Sequence, residues 1–153
     1  MIRLIKKEDI DDISNLLAQV NLVHHLGRSD LFKKNNKYTK EELLNMIDDY
    51  DNPIFVYEKD GKVIGHAFCQ KKIIKENNLL NGIKTLYIDD ICVDENSRGN
   101  GVATKLYEYV KCYAKDNGYY NITLNVWSFN DNAYKFYEKM GLKPQKITME
   151  EIL

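Results

Sequence analysis

Three short stretches carry residue types that can do chemistry together. The first is Asp94-Glu95-Asn96-Ser97-Arg98-Gly99-Asn100-Gly101-Val102-Ala103-Thr104, which turns directly into a helical pattern holding Leu106, Tyr107, Tyr109 and Val110. A helix start has unpaired N–H groups and a partial positive charge, and glycines let a ligand oxygen approach the backbone closely. With the Arg98 cation beside them, these amides can hold a pyrophosphate. The second stretch is Asp89-Asp90, which interrupts an apolar strand pattern of Leu86, Ile88, Ile91 and Val93. Adjacent strand residues point to opposite faces, so one carboxylate is expected on each side. An unpaired carboxylate in apolar surroundings is costly, so at least one should face a wet cleft or find a hydrogen-bond partner. Such an acid could draw a proton from a substrate, or could be a structural acid capping backbone groups; the sequence leaves both readings open. The third stretch places Asn130, Ala133 and Tyr137 on one helical face at i, i+3 and i+7, so Tyr137 can project toward a ligand that Asn130 touches. The competing reading makes Phe136, Tyr137 and Met140 a core stripe.

Two familiar phosphate motifs fail on inspection. A Walker loop needs Gly-Lys-Ser/Thr, but Gly101 is followed by Val102. A dinucleotide fingerprint wants a third small residue where Thr104 stands and an acid about 20 residues on, where Asn125 offers none. Elsewhere, His24-His25-Leu26-Gly27-Arg28-Ser29-Asp30-Leu31-Phe32 gathers two imidazoles, a guanidinium and an aromatic. Arg28 could grip a carboxylate and either His24 or His25 could act as a base near neutral pH. Equally, the histidines could serve the helix dipole and Arg28 could pair with Asp30. Trp127 and Phe129 could pack on a substrate or close the core. His66 has no ligand-spaced companions, and no metal is expected. Cys92 lacks an identifiable base, which disfavours a covalent route through a thiolate.

The elements that must position these groups follow from periodicity. Residues 2 to 6 read as a strand, and Ile10, Ile13, Leu16, Leu17 and Val20 as an amphipathic helix. The period is lost over residues 21 to 38, and Thr39 with Glu42 then offers a capping box for a helix over about 40 to 50. Strands are expected from Pro53 to Tyr57 and Val63 to Ile74, joined at Asp60-Gly61, and again from 84 to 93. A helix over 102 to 116, a strand from Ile122 to Trp127, a helix from Asn130 to Met140 and a final strand over 142 to 149 complete the order. Meandering strands followed by strand-helix alternation imply an α/β fold with a mixed central sheet and helices on both faces.

The bulk properties agree with one domain spanning residues 1–153. The chain is 44% hydrophobic and 29% charged, with 22 basic and 23 acidic residues and a formal charge of −1. That balance predicts no general attraction to nucleic acid or anionic membrane, so an anion site must be local. Charges interrupt the first residues before a signal-peptide core could form, and no apolar run is long enough for a membrane span. Cys69, Cys92 and Cys112 are odd in number and widely spaced, which suggests neither a disulfide framework nor a zinc site and fits a reducing cytoplasm.

Arg98-Gly99-Asn100-Gly101-Val102-Ala103 resembles the Arg/Gln-x-x-Gly-x-Gly/Ala pyrophosphate loop of the GNAT superfamily of N-acetyltransferases. Asn130-Asp131-Asn132-Ala133-Tyr134-Lys135-Phe136-Tyr137-Glu138-Lys139-Met140-Gly141-Leu142 is similar to that family's Asn-x-x-Ala-x-x-Phe/Leu-Tyr-x-x-x-Gly-Phe segment. The resemblance extends over about residues 52 to 142; residues 21 to 50 match no family-wide motif and lie where members differ by substrate. It implies a GNAT-like sheet of six to seven strands, with acetyl-CoA as co-substrate and a primary amine as acceptor. The amides of Arg98, Gly99, Asn100, Gly101, Val102 and Ala103 would bind the coenzyme pyrophosphate. The strand through Ile91, Cys92 and Val93 would bond the pantetheine arm and offer an N–H to the oxyanion. Asn130, with Ala133 on the same face, would reach the pantetheine or adjacent phosphates, and Tyr137 would be the general acid. Asp89 or Asp90 would draw the amine's proton, and His24, His25, Arg28 and Trp127 are the candidate acceptor contacts. Many relatives pair, which leaves a homodimer open. A non-catalytic acyl-CoA binding or sensing module would keep the glycine loop without needing Tyr137, and a peptide interaction domain would bind no coenzyme.

Overall fold

The alternation of apolar side chains builds five strands in this computed structural model, which describes all 153 residues. They are β1 (Ile2–Leu4), β2 (Ile54–Lys59), β3 (Lys62–Ile74), β4 (Ile83–Val93) and β5 (Asn121–Leu124), lying side by side in that order. The first four pair antiparallel and β5 runs parallel to β4. The Asp60-Gly61 turn joins β2 to β3 with φ of 53° and 77°, the left-handed pair that a tight hairpin needs. A parallel neighbour for β4 requires a crossover, and α3 (Val102–Asp116) supplies it.

The sheet buries both faces. Helices α1 (Ile10–Gly27) and α2 (Lys40–Met46) set Ile13, Leu16, Leu17 and Leu43 against Ile54, Val56, Phe68 and Cys92. On the other face α3 packs Leu106, Val110 and Ala114 on Phe55, Ala67, Leu86 and Ile88, with Phe136 of α4 (Asp131–Lys139) and Met140 just after it against the same cluster. The capping box before α2 forms as the spacing predicts: Glu42 N–H donates to Thr39 Oγ1 at 3.2 Å, and Thr39 N–H to Glu42 Oε2 at 2.8 Å.

The structure corrects four expectations. The sheet has five strands rather than six to seven, because residues 142 to 149 form none. Leu142 packs against the core, but the chain beyond it is exposed, Pro144 lacks a donor, and no sheet edge lies alongside to make Ile147 and Met149 an inward face. The first helix runs past Val20 to Gly27, so Asn21, His24 and His25 are helical despite the loss of apolar period. Strand β5 stops at Leu124, which leaves Trp127 on a loop.

The fourth correction concerns the two carboxylates. Phe68 pairs with Asp90 but Cys69 pairs with Ile88, so Asp89 is an extra residue in β4 with no partner in β3. This bulge cancels the alternation across residues 89 and 90. Both carboxylates accordingly lie on the α1/α2 side, Asp89 against Lys37 and Asp90 against His66. No helix is long and apolar enough to cross a membrane.

Leu106 is fully buried at the centre of the α3 interface. Leu106→Ala is expected to cost about 2–5 kcal/mol, read as a lower urea midpoint with an unchanged slope.

Candidate functional site

The pairing of β4 with β5 runs from Thr85↔Asn121 to Ile88↔Leu124 and ends there, while β4 continues to Val93. From the bulge onward, the β4 edge on this side has no strand beside it. Its peptide groups can therefore pair with an extended ligand as they would with a strand.

The glycine segment lies at the far end of this open edge. Gly99 and Gly101 have φ of 83° and 74°, and a Cβ added at either would meet nothing within 4 Å. Glycine is needed there for its dihedrals, on a backbone whose outer side is open. Lys105 N–H donates to Gly101 O at 3.0 Å and closes the first turn of α3. The amides of Val102, Ala103 and Thr104 precede that bond and are the unpaired donors of the helix start. Arg98 Nε donates to Val93 O at 3.4 Å, leaving the rest of its guanidinium exposed. Gln19 of α1 steadies the approach to the loop: its Nε2 donates to Asp94 Oδ1 at 2.9 Å and its Oε1 accepts from Glu95 N–H at 3.1 Å.

The acids sit at the bulge. Asp89 Oδ2 accepts from Lys37 Nζ at 2.5 Å, and Tyr38 stacks on Phe68 with centroids 5.8 Å apart. Burial alone would lower the Lys37 ammonium, but its hydrogen bond to Asp89 together with the charges of Asp89, Tyr38 and Asp90 holds it above the ordinary lysine range. Asp90 Oδ2 lies 2.6 Å from His66 Nε2. Burial pushes the Tyr137 phenol well above the ordinary tyrosine range, with the charges of Asp90 and Tyr107 adding to it. Tyr137 thus stays a neutral O–H donor. An ordinary phenol near ~10 already exceeds a thiol near ~8.5. The rise makes complete proton transfer to a thiolate still more uphill, so hydrogen-bond stabilisation is the role the site favours. His24 is lowered chiefly by burial, and Lys37 lowers it further against the opposing pull of Asp90. It is a neutral base near pH 7 on the same side of the sheet.

The remaining candidates divide. Asn130 Oδ1 accepts from Ala133 N–H at 3.2 Å and caps α4, so the side chain has only its amide donors left for a ligand. The His25 ring nitrogen Nδ1 donates to Phe32 O at 2.7 Å, which ties it to the chain. Arg28 is engaged on both sides, at 2.8 Å from Asp30 and 2.6 Å from Glu150, so its fork is already filled. Trp127 stands edge-on to Phe32 at 5.3 Å and stacks with Phe129 at 6.2 Å, and Phe32 tilts against His24 at 5.1 Å. These rings make a half-open aromatic wall next to His24. Cys92 is buried with its thiol near Leu16 O on the α1 side, and burial pushes it up to about 12, so it is inert as a nucleophile. Ile91 and Val93 flank it on the opposite, α3 side of β4.

Lys37, Tyr38 and the role of His66 escape a sequence reading. Lys37 lies in a segment with no periodicity, and His66 meets Asp90 only through the β3–β4 register and its bulge, across a connection too long to fix that register. The polar break in an apolar strand at His66 was the available signal.

The profile of the Acetyltransferase (GNAT) family matches residues 20–142. An uncharacterized N-acetyltransferase of Methanocaldococcus jannaschii is 26% identical over 146 residues, which cover 95% of this chain and 62% of that protein. The chain thus spans less than two thirds of that relative's length. Glucosamine 6-phosphate N-acetyltransferase 1 of Dictyostelium discoideum is 33% identical over 122 residues, 74% of this chain and 73% of that protein. A solved mutant of a Bacillus halodurans protein superposes with a TM-score of 0.96 at 28% identity, covering 100% of this chain and 99% of its own. An aminoglycoside N-acetyltransferase in complex with CoA superposes with a TM-score of 0.72 at 18% identity over 100% and 98% of the two chains, a likeness of fold.

The aromatic wall rests on Gly27, where an added Cβ would fall 2.2 Å from the Phe129 ring. Gly27→Ala is expected to displace Phe129 and its neighbour Trp127 at a cost of about 1–3 kcal/mol. The single tryptophan reports the change as a shift in its fluorescence.

Proposed function

Because the chain belongs to the acetyltransferase (GNAT) family, we propose that it moves the acetyl group of acetyl-CoA to a primary amine by direct attack, within one domain. The observation that carries this reading is the open edge of β4, which has the glycine loop at one end and Tyr137 with Asp90 beside it. An aminoglycoside N-acetyltransferase of the same fold is solved in complex with CoA, which supports coenzyme binding by this fold.

Residue by residue, the amides of Arg98 to Thr104 hold the pyrophosphate and the β4 edge from Ile91 to Val93 holds the pantetheine. The amine nitrogen attacks the thioester carbonyl, and a backbone N–H of the same edge stabilises the oxyanion. As the C–S bond breaks, the thiolate accepts a hydrogen bond from Tyr137. The amine's proton passes to Asp90 directly or through water, with His24 as the second acceptor in reach. Asp90 is preferred to Asp89 because it perturbs both Tyr137 and His24, whereas Asp89 is neutralised by Lys37. A binding module without turnover would have no use for an unpaired phenol beside a carboxylate. The acceptor differs among proteins of this kind, glucosamine 6-phosphate in one relative and an aminoglycoside in another. We assign the acceptor to the wall of Phe32, Trp127 and His24, a reading supported by its packed rings and neutral imidazole.

Calorimetric titration of acetyl-CoA tests the coenzyme site. Saturable binding to wild type should disappear in Gly101→Glu, which puts a carboxylate where phosphate lies and strains the positive φ, while circular dichroism shows the fold retained. Wild type that takes up no heat would remove the proposal. Tyr137→Phe should lower kcat about 10²-fold and leave the acetyl-CoA KM unchanged. In wild type the rate should not fall on the alkaline side near the ordinary tyrosine value of ~10, since a raised phenol remains protonated through it.

A further inference from the structure

The His66 imidazole is fully buried in the middle of the sheet, between Val56 on β2 and Cys92 on β4. Its ring meets Phe68 edge-on at 4.9 Å, and its Nε2 lies 2.6 Å from Asp90 Oδ2. A carboxylate can only accept, so Nε2 carries the hydrogen. Nδ1, at the other side of the ring, is sealed from solvent and has no partner. An unpaired ring nitrogen in a sealed core is destabilising, and each such group in a folded protein calls for an explanation. Space-filling does not supply one, because an apolar side chain of similar volume would remove the unpaired atom. What an apolar residue would lose is the donor to Asp90.

Asp90 shows what that donor accomplishes. His66 occupies Oδ2, whereas Oδ1 takes no protein donor and is not among the sealed unpartnered atoms. One oxygen is therefore anchored from within the sheet, and the other is neither sealed nor engaged by the protein. We propose that His66 is a positioning residue for acetyl transfer: its Nε2–H fixes the Asp90 carboxylate so that Oδ1 receives the proton of the attacking amine. The inference rests on the proposed role of Asp90 as base. His66 keeps its own hydrogen throughout; the amine N–H bond breaks, an O–H bond forms at Oδ1, and no relay to Nδ1 is needed. The arrangement divides labour as a hydrogen-bonded base and its orienting partner do elsewhere, with the carboxylate as the base and the imidazole as its support.

The test compares wild type, His66→Leu, His66→Gln, Asp90→Asn and the double variant His66→Leu/Asp90→Asn. Acetyl-CoA is the donor, with glucosamine 6-phosphate and benzylamine as probe acceptors, and turnover is expressed per folded molecule. Asp90→Asn retains an oxygen for the Nε2–H and is expected to keep the fold while losing turnover. His66→Leu should lower kcat about tenfold to a hundredfold and leave the acetyl-CoA KM unchanged, because an unanchored carboxylate is less often aimed at the amine. The other titratable groups that sense Asp90 are His24, Lys37, Tyr38, Cys92 and Tyr137, and all are retained in these variants. His66→Gln, with an amide donor of similar reach, should recover most of the rate. The double variant should be no slower than Asp90→Asn alone, since a residue that acts through Asp90 has nothing left to position. If His66→Leu changes only the melting temperature, or if the two losses multiply in the double variant, His66 is a structural residue and the inference is overturned. Should His66→Leu fail to fold, the His66→Gln rate decides: a near-wild-type kcat supports the inference, and a loss as deep as that of Asp90→Asn overturns it. Calorimetry separates failure of the parent reading, because absent acetyl-CoA binding in wild type removes the proposed function itself.

Discussion

The insertion of Asp89 between the pairs Phe68↔Asp90 and Cys69↔Ile88 is the constraint from which the cleft's geometry follows. A regular β4 would send its two acids to opposite faces, one of them into the apolar cluster under α3. With one residue unpaired, both reach the α1/α2 side, where Lys37 and His66 meet them. The same irregularity falls where the parallel pairing with β5 stops. A bulge bends its strand, so the two features together are consistent with β4 leaving β5 and exposing a row of peptide groups. An unprotected edge of this kind is a liability in most sheets. Here it is an open slot that runs up to the glycine loop.

Burial then sets the chemistry along the slot. It holds Tyr137 protonated, keeps His24 neutral and renders Cys92 inert, three outcomes with one cause and different uses. Each acid has a donor, an exposed ammonium for Asp89 and a buried imidazole for Asp90. At the other end of the slot the proposed anion site would owe nothing to net charge. It would draw on the amides at the start of α3, on glycines at positive φ, and on Arg98, in a protein whose overall charge is −1.

The legible parts of the fold were those governed by local rules. The Asp60-Gly61 hairpin, the Thr39–Glu42 cap and the span of α3 follow from residue types within a few positions of one another. The glycine loop and the Asn130 to Leu142 segment could be read because their chemistry lies in consecutive residues. What could not be read depends on residues far apart in sequence. The bulge is a property of two strands and has no marker in β4 alone, so the facing of Asp89 and Asp90 was misjudged. The extension of α1 to Gly27 is held by packing against Phe129 rather than by apolar period. The tail after Leu142 carries alternating residues but lacks a neighbouring strand, and alternation without a partner makes no sheet. The pairing of Arg28 with Asp30 could be read locally, but its second partner Glu150 could not, because it lies far along the chain.

The central claim is that acetyl-CoA lies along the open edge of β4 with its phosphates at the start of α3. Amide hydrogen exchange measured with and without acetyl-CoA tests it residue by residue. The account predicts slower exchange at amides between Ile91 and Val93 and at Val102 to Thr104, with residues of β1 and α2 unchanged. Protection that bypasses both the β4 edge and the α3 start, in a protein that binds acetyl-CoA, would contradict it.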